Sequence, residues 1–177
     1  MTTTFITGLL GSLILVVGAA WPLEKKISHP TQSIKNWLFA IGGLATFIYA
    51  LLGYQAGDPI FFVILEIMVL VASIMMMIDL SDRTDTIVMS ISAICLIAWS
   101  LTLFEDYSTI IFILGLTGVG LGYALEGGTI KRNIALTVGS ILIAIFSYID
   151  ASWIFFWLNV FFALFSGYYV IVLATKK

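Results

Sequence analysis

Two polar side chains stand inside otherwise apolar stretches and are the residues best suited to bind a solute. Glu66 lies in the run IFFVILEIMVLVAS, six residues after Ile60, which corresponds to roughly 9–10 Å along a helix. Asn159 lies in the run WIFFWLNVFFALFS. A carboxylate accepts hydrogen bonds and a carboxamide both donates and accepts them, so the two side chains suit the hydroxyl or amide groups of a small solute.

The same two residues have a structural alternative. A carboxylate at membrane depth costs about 2.5–3.5 kcal/mol, so Glu66 is expected to face a cavity or a partner and not lipid. The partner could be a neighbouring helix, in which case Glu66 and Asn159 would only hold helices together.

Composition sets the class of protein in which these side chains act. The chain has 177 residues, of which 61% are hydrophobic and 10% are charged, and its mean hydropathy is +1.12. Soluble domains average about 45–50% apolar and about 25% charged residues. The sequence therefore predicts an all-α integral membrane protein with the lipid bilayer as its main surroundings.

Several function classes are excluded by what the sequence lacks. One cysteine (Cys95) and one histidine (His29) leave no disulfide, metal site or cofactor site and little for enzyme chemistry. The net charge of −2 argues against a nucleic-acid partner. No G-x-x-x-x-G-K-[ST] motif is present, so a pump driven by ATP within this chain is excluded.

Seven apolar segments are long enough to cross a bilayer, for which about 20 residues are needed. Their apolar runs are continuous and not alternating, which favours helices over barrel strands. The sixth is short, so we expect it to begin earlier, with Lys131 and Arg132 at the membrane interface. The segments are Phe5–Leu23, Trp37–Tyr54, Ile60–Ile78, Thr86–Phe104, Thr109–Leu125, Ile134–Ile149 and Trp153–Thr175.

Charge predicts the orientation of these segments. All 8 basic residues fall in the loops of one side or at the C-terminus, whereas the loops of the other side carry only acidic charges. By the positive-inside rule, the N-terminus is outside and the C-terminus is cytoplasmic. The expected location is the plasma (inner) membrane of a bacterium or archaeon. The basic residues are Lys25, Lys26, Lys35, Arg83, Lys131, Arg132, Lys176 and Lys177.

The sequence contains a weak internal repeat. Residues 59–73 align with 152–166, which places Glu66 opposite Asn159, and residues 18–27 resemble 120–130. The pattern predicts three helices in residues 1–80, a linker helix in 81–107 and three helices in 108–177. Since the linker adds one crossing, these would be 3+1+3 parallel triple-helix repeats. Such repeats place a solute site near mid-membrane at their interface.

This arrangement resembles the SWEET and PQ-loop transporters. Pro22 stands where that family has a proline–glutamine pair, although Leu23 replaces the glutamine. The family's W-x-x-Y-G motif near the outer end of the second span is matched by Tyr49-Ala50-Leu51-Leu52-Gly53, with the aromatic residue and the glycine kept. Asn159 matches the pocket asparagine, whereas Glu66 in the first repeat is a departure. Nicotinamide-riboside transporters and a short bacterial inner-membrane family are similar to about the same degree.

The resemblance implies a transporter that moves a small neutral solute, with a sugar favoured, by alternating access between the two repeats. Pro22 would be a hinge. Asp58 and Asp150 would lie at an outer gate, and Glu24 and Glu126 at an inner gate. Besides Glu66 and Asn159, the residues expected to line the pocket are Tyr49, Ser73, Ser166, Trp157, Trp21 and Tyr123.

Each of these assignments leaves an alternative open. Aromatic residues also form interfacial belts, serines also pack helices, and acidic residues at helix ends are often solvated. For the whole chain, transport of a vitamin precursor, proton-coupled transport with Glu66 as coupling group, and a non-transporting receptor or scaffold also remain open. One chain already holds both repeats, so a monomer would suffice, and a homo-oligomer stays open.

Overall fold

Seven α-helices make up nearly all of the computed structural model, which describes residues 3–21 and 29–175. Within these residues each of the seven α-helices is long and apolar enough to cross a membrane, so the chain is an all-α integral membrane protein, as the sequence predicts. The 3+1+3 repeat stays a prediction. The helices are α1 (Thr3–Ala20), α2 (Ile34–Ala56), α3 (Ile60–Met77), α4 (Asp82–Thr102), α5 (Tyr107–Ala124), α6 (Ile130–Ile149) and α7 (Trp153–Thr175).

Polar caps set the helix starts. Ser81 caps α4 by accepting a hydrogen bond from the backbone nitrogen of Thr84 at 3.3 Å. Thr129 caps α6 in the same way, accepting from Arg132 at 3.3 Å. A cap satisfies backbone donors that have no partner inside the helix. For this reason α4 begins at Asp82 and α6 at Ile130, each about one turn before its apolar segment.

The chain forms two compact units, Met1–Leu80 and Ser81–Lys177. In the first unit, α2 packs against both α1 and α3, and a short 3-10 helix (Pro30–Gln32) precedes α2. In the second unit, α5 packs against α4 and α6, and α6 packs against α7. Helix α2 in the first unit, and helices α5 and α6 in the second, therefore each pack against two neighbouring helices.

Glycines allow the backbones of α1 and α2 to touch. A Cβ atom on Gly42 would lie 2.9 Å from the backbone nitrogen of Leu15 and 3.1 Å from the carbonyl oxygen of Gly11. The second unit has an equally close pair, because a Cβ on Gly139 of α6 would lie 2.5 Å from the backbone nitrogen of Val119 in α5. Small residues at such crossings are typical of helix packing in membranes.

A tight turn reverses the chain between α2 and α3. Gly57 adopts φ 107°, a left-handed conformation that suits glycine, and its N–H donates to the carbonyl oxygen of Tyr54 at 3.1 Å. The N–H of Asp58 donates to the carbonyl oxygen of Gly53 at 3.0 Å. Pro59 then precedes the first residue of α3. The two helices are thereby set side by side and antiparallel.

Contacts between α2 and α3 keep one register along both helices. Four positions of α2 contact α3, and their partners follow in reverse order along the chain. Position 36 contacts 76, 39 contacts 73, 43 contacts 69, and 46 contacts 66. Steps of three, four and three residues keep one face of each helix towards the other. We call this set the α2–α3 seam; its members are Asn36, Phe39, Gly43 and Thr46 on α2 and Met76, Ser73, Val69 and Glu66 on α3.

Candidate functional site

Glu66 is buried in the first unit, with 1% of its surface exposed. Its Oε2 lies 2.5 Å from the hydroxyl oxygen of Thr46, a hydrogen-bond distance, and Thr46 is fully buried. Its Oε1 is buried and has no hydrogen-bond partner among the described residues. Buried polar atoms without a hydrogen-bond partner are rare in folded proteins. Glu66 therefore has one oxygen bonded to Thr46 and one without a hydrogen-bond partner among the described residues.

Thr46 also bonds to its own helix. Its hydroxyl oxygen lies 3.1 Å from each of the carbonyl oxygens of Gly42 and Gly43. Threonine commonly returns a hydrogen bond to the preceding turn in this way. Thr46 thus connects the Glu66 carboxyl group to the backbone of α2.

Ser73 continues the α2–α3 seam on the same face of α3 as Glu66. Its hydroxyl donates to the carbonyl oxygen of Val69 at 2.8 Å and lies 3.2 Å from the carbonyl oxygen of Phe39 on α2. Both Glu66 and Ser73 therefore face α2. In this conformation both hydrogen-bond contacts of Ser73 are to backbone carbonyl oxygens, and one of them connects α3 to α2.

Asn36 closes the seam at its other end. Its Nδ2 donates to the carbonyl oxygen of Met76 at 2.6 Å and to that of Pro30 at 3.0 Å. The sequence analysis did not select Asn36 or Thr46. The short turn between α2 and α3 is the signal that could have identified them. Counting an equal number of residues from the turn along each of the two antiparallel helices places Thr46 opposite Glu66 and Asn36 opposite Met76.

In the second unit, Asn159 of α7 is 7% exposed. Its Nδ2 donates to the carbonyl oxygen of Phe155 at 2.9 Å, one turn earlier on the same helix. Ser166 is also 7% exposed and lies seven residues further along, which keeps it near the face of Asn159. The side chain of Asn159 therefore bonds to its own helix, whereas that of Glu66 bonds to the neighbouring helix α2.

The aromatic residues occupy different environments. Trp157 is 55% exposed, with its ring centroid 5.1 Å from that of Phe156, and at two residues from Asn159 it lies on a different face of α7. It belongs to an outward-facing cluster on α6 and α7. The cluster consists of Tyr148, Trp153, Phe156, Trp157 and Phe161. The other aromatic candidates, each half-buried, are Tyr49, Tyr123 and Trp21.

The acidic residues assigned to gates lie at helix ends. Asp58 is exposed in the turn before α3, and its carboxylate folds back over Gly53, where no Cβ blocks it. Asp150 is exposed at the end of α6, and Glu126 is exposed just after α5. The predicted hinge Pro22 and the gate residue Glu24 lie outside the described residues.

Residues 3–21 and 29–175 contain no group of three or more His, Cys, Asp or Glu side chains that could hold a metal ion.

The chain matches no known family model, and no curated protein or solved structure is significantly similar to it.

Proposed function

We propose that the chain is a membrane transporter that moves a small neutral solute, with a sugar as the favoured class. The solute would cross by alternating access through a pocket between two three-helix repeats, as the resemblance to SWEET and PQ-loop transporters implies. The observation that carries the proposal is the buried Oε1 of Glu66, which has no hydrogen-bond partner in the described part of the chain.

A purely structural carboxyl group would be expected to use both oxygens. Ionisable side chains in membrane helices are costly and usually belong to a solute or ion pathway. Glu66 stands in a helix that has no other ionisable residue, and Thr46 satisfies only one of its oxygens. The remaining oxygen suits a hydroxyl group of a sugar.

Uptake by the purified protein in liposomes tests the proposal. A panel of sugars and nicotinamide riboside would be supplied with and without a pH gradient. We expect flux of one solute that does not depend on the gradient. Glu66→Met removes the acceptor oxygen of the solute hydrogen bond and should lower this flux roughly tenfold. Glu105→Met makes the same change at an exposed carboxyl before α5 and serves as the matched control.

Two outcomes would contradict the proposal in different ways. Unchanged flux in both Glu66→Met and Asn159→Ala would place the solute site elsewhere. No flux of any solute, from protein shown to be folded, would favour a receptor or scaffold.

Proton-coupled transport is the second candidate, and the same buried carboxyl group favours it. A carboxyl group can carry a proton in one conformation and release it in another. Flux that requires the pH gradient, and that Glu66→Gln uncouples from it, would establish coupling.

A further inference from the structure

We propose that Glu66 and Thr46 form a proton-binding site within the α2–α3 seam. In the described conformation Glu66 is a neutral acid that donates the hydrogen on Oε2 to the Thr46 hydroxyl. The ligand is one proton, and the site lies entirely within the first unit.

The hydrogen count at Thr46 is the first argument. The Thr46 hydroxyl carries a single hydrogen, yet three acceptor oxygens lie within 3.1 Å of it: Glu66 Oε2 and the carbonyl oxygens of Gly42 and Gly43. If Glu66 were a carboxylate, that hydrogen would go to Oε2 and both carbonyl contacts would lack one. If Glu66 carries a proton, Oε2 donates to Thr46, and the single Thr46 hydrogen is shared between the two carbonyl oxygens of its own helix in a three-centre bond.

The unpartnered oxygen is the second argument. A buried carboxylate needs a cation or several donors to offset the loss of water. Glu66 has one hydroxyl neighbour, and its Oε1 has no hydrogen-bond partner among the described residues. No charged side chain in the described part of the first unit acts on its carboxyl group. A neutral acid leaves only a carbonyl-type oxygen unsatisfied, which costs far less than an unsatisfied charge.

The groups around α3 leave Glu66 as the titrating residue of the seam. Helix α3 has no other ionisable side chain. On α2, Tyr49 is the titratable residue closest to Thr46 along the helix, and Lys35 lies at the far end, where its Nζ donates to the carbonyl oxygen of Trp21. On the 3-10 helix, the His29 ring bonds to Thr31. Among these groups, the charged one is about three turns from Thr46.

A proton at this site would shape what the free oxygen can bind. With Oε2–H committed to Thr46, Oε1 is a neutral acceptor that suits an uncharged hydroxyl donor and gives no added attraction for a cation. This consequence rests on the proposed function, whereas the proton site does not.

Infrared spectroscopy of the purified protein in lipid nanodiscs tests the site without any solute. A protonated carboxyl group has a C=O stretching band separate from the bands of carboxylates. We expect this band at neutral pH in the wild type, its loss in Glu66→Gln, and no change in Glu105→Gln. Absence of the band from the wild type at neutral pH, or its persistence in Glu66→Gln, would overturn the proposal.

A second pair of variants keeps the test decisive if Glu66→Gln does not fold. Thr46→Ser keeps the hydroxyl and should leave the band in place, whereas Thr46→Val removes it and should move the band. Identical bands in the two variants would overturn the assignment to this pair. A band without solute flux would support the proton site and count against the transporter. Solute flux without the band would support the transporter and overturn the proton site.

Discussion

Asn36 and Met76, which are 40 residues apart, are joined by a 2.6 Å hydrogen bond from the side-chain amide of Asn36 to the carbonyl oxygen of Met76. The last carbonyl groups of a helix have no partner within it. Asn36 satisfies one of these groups in α3 and also bonds to Pro30 in the 3-10 helix. One side chain thus connects the start of α2, the 3-10 helix and the end of α3.

We expect Asn36→Ala to lower the free energy of unfolding by about 1–3 kcal/mol, because two hydrogen bonds are lost and a carbonyl group is left unsatisfied. Asn133→Ala is the matched control, since Asn133 Nδ2 donates only to Thr129 at the start of its own helix, at 2.9 Å. Unfolding by sodium dodecyl sulfate in mixed micelles would measure both. Equal losses would show that the bond to Met76 contributes nothing.

Thr46 and Glu66 should be energetically coupled. Thr46→Val leaves both oxygens of Glu66 without a protein partner, whereas after Glu66→Met the Thr46 hydroxyl can still donate to its own helix. The double variant should therefore be more stable than the sum of the single changes predicts, by about 0.6–1.7 kcal/mol. A double-mutant cycle measured by the same unfolding assay tests this. Strictly additive losses would mean that the hydrogen bond is energetically negligible.

An added methyl group at the close crossing of α5 and α6 should lower the stability of the protein. In Gly139→Ala the new Cβ would meet backbone atoms of Gly118 and Val119, which cannot rotate away, so a loss of about 1–3 kcal/mol is expected. Gly167→Ala in α7 is the control, because its Cβ would lie 3.8 Å from Thr137, an ordinary contact. Thermal unfolding in detergent compares the two variants. A Gly139→Ala protein as stable as Gly167→Ala would contradict the crossing.

Asp106 should make the start of α5 sensitive to acid. Its Oδ1 accepts hydrogen bonds from the hydroxyl of Ser108 at 2.6 Å and from the backbone nitrogens of Ser108 and Thr109 at 2.8 and 3.2 Å. These bonds, that of the Ser108 hydroxyl first, lower the pKa of Asp106 below its ordinary value.

A lowered pKa in the folded state fixes the sign of the pH effect. The contribution of Asp106 is fully present above the pKa of the unfolded chain and is lost as the pH falls through the lowered, folded value. Asp106→Asn keeps an oxygen acceptor and should remove this acid dependence. Stability measured against pH for the wild type and this variant tests the prediction, and parallel curves would refute it.

The helices could be predicted because about 20 consecutive apolar residues have few other stable arrangements in lipid. For α7 the expected bounds, Trp153–Thr175, are the observed ones. The start of α4 was placed too late because Asp82 and Asp85 look like a loop by hydropathy, although an acidic first turn and a serine cap favour a helix start.

The site was only partly accessible from sequence. The cost of a buried carboxylate singles out Glu66 without a structure. Its partner Thr46 did not stand out, because a threonine inside an apolar helix is common and its meaning depends on how α2 and α3 are aligned. The sequence predicts that Trp157 lines the pocket because aromatic side chains suit a solute ring. Its position on α7 places it on a different face from Asn159, with 55% of its surface exposed.

The shared register of α2 and α3 has an evolutionary consequence. One residue inserted between Thr46 and Glu66 and carried into α3 would rotate Glu66 and Ser73 by about 100° away from their partners. Apart from Gly53 and Gly57, the amino acids of the turn could change, but the number of residues in it could not. Orthologues that keep the Thr46–Glu66 pair should therefore keep the number of residues between them, even where the residues themselves differ.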